Sequence, residues 1–184
     1  MKLRDLRRYA KDRLSGGGIE DGDSSKLELL FEYAFNFSRN FLLSEPGFEV
    51  DEKSSEYSRF LEALEKTASG VPVQYATGFS YFCGNRFSVS PSVLIPRQET
   101  ELLVRMAVDY LRRQKPDGSP LRVLDLCSGS GAIGISVKKE FPTADVTLSD
   151  ISRGALEVSK TNAKNILGSE TAGRPLRPRH VRRG

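Results

Sequence analysis

Asp125-Leu126-Cys127-Ser128-Gly129-Ser130-Gly131 joins an apolar run to the start of an amphipathic one, and these residue types suit the holding of a small charged ligand. Glycine lets the backbone pass close to a ligand and takes dihedrals closed to other residues. A helix starting beyond the loop presents amides that have no partner within the helix. If a strand of a doubly wound sheet precedes the loop, the loop lies at the carboxyl ends of the strands, where that architecture binds ligands. A tight turn that holds nothing is the bland alternative, but four small or polar residues in a row between apolar elements ask for a reason.

Gly129, Gly131 and Gly134 also satisfy GxGxxG, the dinucleotide fingerprint, which is weak by itself. Asp125 helps to discriminate. Beside a pyrophosphate its carboxylate faces like charge, which is unfavourable. Beside S-adenosylmethionine it faces an ammonium and a sulfonium, which is favourable. Asp150, at the end of the next apolar run, is placed to accept hydrogen bonds from ribose hydroxyls. A dinucleotide carries such a ribose too, so Asp150 does not discriminate. The residues favour the methyl donor and leave the dinucleotide open.

The elements that must position these residues follow from periodicity. Residues 121–126 read as a strand, 132–140 as a helix, 146–149 as a second strand and 153–167 as a second helix, the alternation of a parallel α/β sheet. Upstream, Leu102, Leu103, Met106, Ala107, Tyr110 and Leu111 mark a helix over 98–113, ended by the turn cluster Pro116-Asp117-Gly118-Ser119-Pro120. Residues 79–90 read as a hairpin with Gly84-Asn85 as its turn. The first seventy residues read as a helical bundle. One helix spans 2–14 and is ended by Gly16-Gly17-Gly18. A second opens on the capping box Ser25-Lys26-Leu27-Glu28 and carries its apolar set on to Leu42. A third covers 52–68. The aromatic stripe of this bundle reads as core.

Composition narrows the class. The hydrophobic share plus glycine is about 47%, ordinary for a globular chain. No apolar run approaches the roughly 18 residues of a membrane helix, and the charged start Met1-Lys2-Leu3-Arg4-Asp5 has no signal-peptide centre, so a cytoplasmic protein is expected. Cys83 and Cys127 form no disulfide framework or CxxC pair, and His180 is the sole histidine, so no metal site is expected. Net charge is +4, but five arginines lie in the last eleven residues, and residues 1–173 carry 23 basic against 24 acidic groups. That basicity belongs to a solvated tail or loop, and no nucleic-acid partner is expected.

The chain resembles the release factor glutamine methyltransferases, the PrmC/HemK family. The resemblance is carried by Val71-Pro72-Val73-Gln74-Tyr75-Ala76-Thr77-Gly78, by Phe82-Cys83-Gly84, by Val93-Leu94-Ile95-Pro96-Arg97-Gln98-Glu99-Thr100-Glu101 and by residues 125–133. Asp150-Ile151-Ser152, Ala155-Leu156 and Asn162-Ala163 continue it. The Ile-Pro-Arg-x-Glu-Thr-Glu string makes it specific. Cys127 stands where many members have glycine, and Gln98 where many have proline.

The resemblance implies an α/β chain: a helical, substrate-docking domain over 1–70, a β-hairpin linker over 71–97, and over 98–184 the incomplete first part of a class I (Rossmann-like) S-adenosylmethionine-dependent methyltransferase domain. It implies methyl transfer to the glutamine side-chain amide of the Gly-Gly-Gln motif of peptide chain release factors. Asp125, Cys127, Ser128, Gly129, Ser130, Gly131 and Asp150 would bind the cofactor, and Arg97, Glu99 and Glu101 either orient the substrate loop or form a charged helix start. The family's Asn-Pro-Pro-Tyr motif, which supplies the amide acceptors, does not occur in the 184 residues. No catalytic residue is therefore assigned. The chain reads as a C-terminally truncated fragment that does not methylate alone, and its half sheet, with an open edge and an apolar face, is expected to be poorly stable. An RNA or DNA amino-methyltransferase and a non-catalytic protein-interaction fragment are the competing classes. The first calls for a basic domain face, and the second rests on the helical bundle alone.

Overall fold

Leucine spacing makes the first helix. In α1, Leu3–Ser15, Leu3, Leu6, Ala10 and Leu14 fall on one face and are fully buried. The computed structural model describes residues 1–15, 23–114, 119, 121–168 and 177–180. The glycine run expected to end α1 lies outside them, as does most of the turn expected at 116–120. The chain divides into two compact units, Met1–Thr77 and Gly78–Gly184.

In the first unit, α2 spans Asp23–Phe35, so Ser25 sits inside its first turn instead of capping it. The expected run through Leu42 is broken. Asn36 takes a left-handed backbone (φ 58°), which asparagine tolerates better than most residues, and Ser38 caps a new short helix, α3, Arg39–Ser44, by accepting the Phe41 amide at 3.2 Å. In α4, Ser55–Ala68, Ser54 caps the start, and Phe60, Ala63, Leu64 and Thr67 are buried. A further helix, α5, Val73–Thr77, was not anticipated. It packs on α2 and α4 and carries the unit seven residues past the expected end at 70. Phe31 and Phe60, both fully buried with ring centroids 4.6 Å apart, lie at the centre of the core.

The second unit opens on a hairpin, β1 (Phe79–Phe82) against β2 (Asn85–Ser88), with Phe82 opposite Asn85. The turn is therefore Cys83-Gly84, one residue earlier than expected. Both residues have positive φ (46° and 68°), the pattern of a type I′ turn. A 3-10 turn at Gln98–Thr100 leads into α6, Glu101–Gln114. Its buried face is Val104, Val108 and Leu111. Most of the apolar set that marked the helix in the sequence, Leu102, Leu103, Met106 and Tyr110, is exposed. With apolar residues on both sides, periodicity identifies the helix without identifying its inner face.

The sheet is parallel in the order β3-β4-β5, from β3 (Arg122–Leu126), β4 (Asp145–Asp150) and β5 (Arg177–His180), with α7 (Ala132–Glu140) and α8 (Arg153–Leu167) as crossovers. The arginine-rich segment is thus, over 177–180, a strand paired with Thr147–Asp150 and not a solvated tail. Lys138 is buried on α7, and its Nζ closes the turn into β4 by donating to the Pro142 and Ala144 carbonyls, both at 2.7 Å.

Among the described residues no strand lies beyond β3, and Leu124 and Leu126 are 62% and 63% exposed. An unpaired edge beside an apolar face favours association. The chain is expected to self-associate as its concentration rises, and Leu124→Lys with Leu126→Lys to shift it towards monomer in sedimentation velocity. A wild-type chain that stays monomeric at high concentration would refute this.

Candidate functional site

The register Asp125↔Leu148, Leu126↔Ser149 brings the carboxyl ends of β3 and β4 out together, and Ser128 extends the ladder by donating its amide to the Ser149 carbonyl at 3.0 Å. The chain then turns sharply. Cys127, Gly129 and Gly131 all have left-handed backbone, with φ 60°, 54° and 78°. Cys127 bears a Cβ there, at a cost of about 1 kcal/mol, which is the physical reason that glycine suits the position. The Gly131 amide closes the turn on the Ser128 carbonyl at 2.7 Å.

Gly131 occupies the N-cap position of α7 and has no side chain with which to cap it. The cap comes from β3 instead: Asp125 Oδ2 accepts the Gly134 amide at 2.9 Å. The amides of Ala132 and Ile133, in the same first turn, have no acceptor within the helix. Asp150 fixes the other side of the loop. Its Oδ2 accepts the Gly129 amide and its Oδ1 the Ser152 amide, both at 2.8 Å. Ser152 in turn caps α8 through the Ala155 amide at 3.2 Å.

The seven residues named from the sequence thus form one constellation, but they do not all face the same way. Cys127 is exposed, and a Cβ at Gly129 would meet nothing among the described residues within 4 Å, so this side of the loop is open with respect to them. Gly131 faces inward, where a Cβ would come within 2.8 Å of Ile135 Cδ1 and 3.0 Å of Leu148 Cδ1. Asp125 is only 9% exposed and turns under the loop towards α7, so it offers the open side its field and not a free face. Burial pushes its carboxyl above the ordinary range. The Gly134 amide pulls the other way, and the nearby charge of Asp150 adds to the rise. Ser128 Oγ is buried without a hydrogen-bond partner among the described residues.

Glu101 turns to the hairpin, where its Oε1 accepts the Cys83 amide at 2.9 Å, while Arg97 and Glu99 are exposed at the start of the 3-10 turn. A cavity of about 460 Å³ between the hairpin turn and α6 is lined by Cys83, Glu101, Arg105, Asp109, Arg112 and Glu140 among others, and by no residue of the glycine loop. Burial raises the Cys83 thiol, which makes it a poor nucleophile. Among the described residues no group of three or more His, Cys, Asp or Glu could hold a metal ion.

Sequence reasoning named Asn162 only as part of the family resemblance and gave it no role at the loop. It is fully buried on α8, and its amide reaches both the hairpin and the Ser130 carbonyl of the loop. The signal was a polar residue on the inner side of α8, where Leu156 and Ser159 are also buried.

A parallel strand, a left-handed glycine turn capped by the strand's own carboxylate, a helix, and a second strand ending in a carboxylate that holds the turn define the opening of a class I (Rossmann-like) methyltransferase domain. Comparison with known proteins agrees: residues 100–171 match the methyltransferase small domain and residues 5–78 the PrmC N-terminal domain. The chain is 39% identical over 157 residues to the release factor glutamine methyltransferase of Burkholderia pseudomallei, covering 84% of this chain and 52% of that one. It is 39% identical over 139 residues to that of Koribacter versatilis (76% and 48%), and 37% identical over 166 residues to that of Moorella thermoacetica (90% and 56%). The chain thus carries a PrmC N-terminal domain followed by a methyltransferase small domain and is similar over most of its length to release factor glutamine methyltransferases, and it spans about half the length of the curated relatives it matches.

Proposed function

We propose that this chain carries the methyl-donor half of a release factor glutamine methyltransferase, an enzyme that moves a methyl group from S-adenosylmethionine to the glutamine side-chain amide of the Gly-Gly-Gln motif in peptide chain release factors, in the cytoplasm. The observation that carries the reading is the glycine loop held between two carboxylates, Asp125 beneath it and Asp150 beside it. The donor set suits the cofactor. Its open side is backbone at Cys127 and Gly129, its negative field matches a cationic ligand, and Ser128 Oγ has hydrogen-bonding capacity to spare.

In this reading Cys127, Ser128, Gly129, Ser130 and Gly131 wrap the methionine part, and Asp150, whose oxygens keep further lone pairs, holds the ribose. S-Adenosylmethionine supplies an electrophilic methyl on a sulfonium. The protein's task is positioning, because an amide nitrogen with its lone pair delocalised into the carbonyl is a poor nucleophile. Asp125 and Asp150 hold the loop so that the cationic centre has one place to sit. The 184 residues contain no Asn-Pro-Pro-Tyr, and the chain alone binds the donor without turning over. The helical unit of residues 1–77 is the docking part for the protein substrate, and the hairpin links it to the donor half.

Calorimetric titration of the chain tests this. S-Adenosylhomocysteine is expected to bind and NAD not to bind. Asp150→Ala frees the Gly129 amide and removes the ribose acceptor, so it is expected to weaken S-adenosylhomocysteine at least about tenfold, the equivalent of one lost charge-assisted hydrogen bond. NAD binding without S-adenosylhomocysteine binding, or robust methylation of a release factor by this chain alone, would overturn the reading.

A further inference from the structure

We infer that Asn162 is a positioning residue that couples the hairpin strand β2 to the glycine loop, so that the loop's set and the strand's position respond to each other. Its Oδ1 accepts the Ser88 amide at 2.7 Å, and its Nδ2 donates to the Ser88 carbonyl at 3.0 Å. The side-chain amide thus pairs with Ser88 as a neighbouring strand residue would. The orientation is fixed, because a flipped amide would set NH₂ against the Ser88 N–H. The remaining Nδ2 hydrogen goes to the Ser130 carbonyl at 2.9 Å, and Asn162 itself is fully buried.

A purely structural role at the α8–hairpin contact needs only the two bonds to Ser88. The third bond reaches a different element. Ser130 is 3% exposed and lies between Gly129 and Gly131, the two left-handed glycines that shape the loop. A ligand that tightens the loop therefore tightens Ser130 on Asn162, and Asn162 on Ser88. The hairpin is also where the chain enters its second unit, since β1 begins at Phe79, two residues after α5 ends. Asn162 is thus placed to relate events at the hairpin to the set of the loop. The ligand part of this inference rests on the proposed methyl-donor reading. The coupling of loop to hairpin does not.

Amide hydrogen exchange separates the two. In Asn162→Asp the ionised carboxylate can still accept the Ser88 amide but donates to neither the Ser130 carbonyl nor the Ser88 carbonyl. Ser88 is expected to stay protected while the Gly129 and Gly131 amides exchange about tenfold faster, with the β3–β4 ladder unchanged. In Asn162→Leu both the loop amides and Ser88 are expected to exchange faster. In the wild type, saturating S-adenosylhomocysteine slows exchange at Ser88 as well as in the loop, and in Asn162→Asp it slows the loop alone. Loop amides unchanged in Asn162→Asp, or accelerated only together with the whole sheet, would overturn the coupling whether or not ligand binds. Absence of S-adenosylhomocysteine binding to the wild type would overturn the donor reading and leave the exchange of the free protein to judge Asn162.

Discussion

Gly134→Val is expected to destabilise the second unit by about 3 kcal/mol, a combination of overpacking and a displaced buried hydrogen bond, and to abolish measurable S-adenosylhomocysteine binding. Gly134 lies in the first turn of α7, against the inner side of the sheet. A Cβ there would overlap Leu148 Cδ2 and stand 3.0 Å from Asp125 Oδ2 and 3.1 Å from Asp125 Cβ. The Leu148 methyl is the far end of a side chain, but that side chain is 1% exposed, and its other methyl already backs the inward side of Gly131. It has nowhere to turn without lifting the loop. Asp125 cannot retreat either, because its Oδ2 is the acceptor for the Gly134 amide. Gly134→Ala is the sharper test of sign. At an ordinary helical site this change stabilises by about 1 kcal/mol. Here it is expected to destabilise, because the space is filled. The measurement is urea unfolding of each variant, with calorimetry for the ligand. An alanine variant at least as stable as the wild type would show that Leu148 has room to move.

The same residues show what the sequence could and could not disclose. The glycine loop, α7 and α8 were legible because each has a local signal: glycines where the backbone must be left-handed, apolar spacing where a helix must face the sheet. The break at Asn36 was not, because Phe37, Phe41 and Leu42 keep an apolar rhythm across it while the interruption lies in one φ angle. Strand β5, Arg177–His180, falls in the arginine-rich stretch that read as a solvated tail or loop. Arg-Pro-Arg-His has no alternation to mark it, and its pairing with β4 is non-local. The inner face of α6 was not legible because both of its faces are apolar. Asp125 was singled out for the charge it would show a ligand. The structure gives it a local task as well, as the cap that Gly131 cannot provide. That task is invisible in a sequence, because it joins the end of one element to the start of another across a turn of unknown shape.

The double role of Asp125 leads to a pH dependence of opposite sign for stability and for binding. Burial raises its carboxyl in the folded chain above the ordinary value of about 3.8 of an unfolded one. Between those two values the folded state binds more protons than the unfolded state, so stability falls as pH rises. The contribution is fully present below the ordinary aspartate value and is lost as pH climbs through the raised one. Ligand affinity runs the other way. A cationic methyl donor, as proposed, favours the ionised carboxylate, so its affinity rises across the same window. Asp125→Asn should flatten both profiles, since an amide oxygen can still accept from Gly134 without titrating. Asp125→Ala should instead cost about 1–3 kcal/mol at every pH, because it leaves the buried Gly134 amide without an acceptor. Subtracting the Asp125→Asn unfolding profile from that of the wild type removes the contributions of other carboxylates, and calorimetry with S-adenosylmethionine at the same pH values gives the second curve. If the difference profile is flat, the charge of Asp125 is not what burial penalises. If stability and affinity change in the same direction with pH, Asp125 acts only as the cap of α7, and its field plays no part in holding a cation.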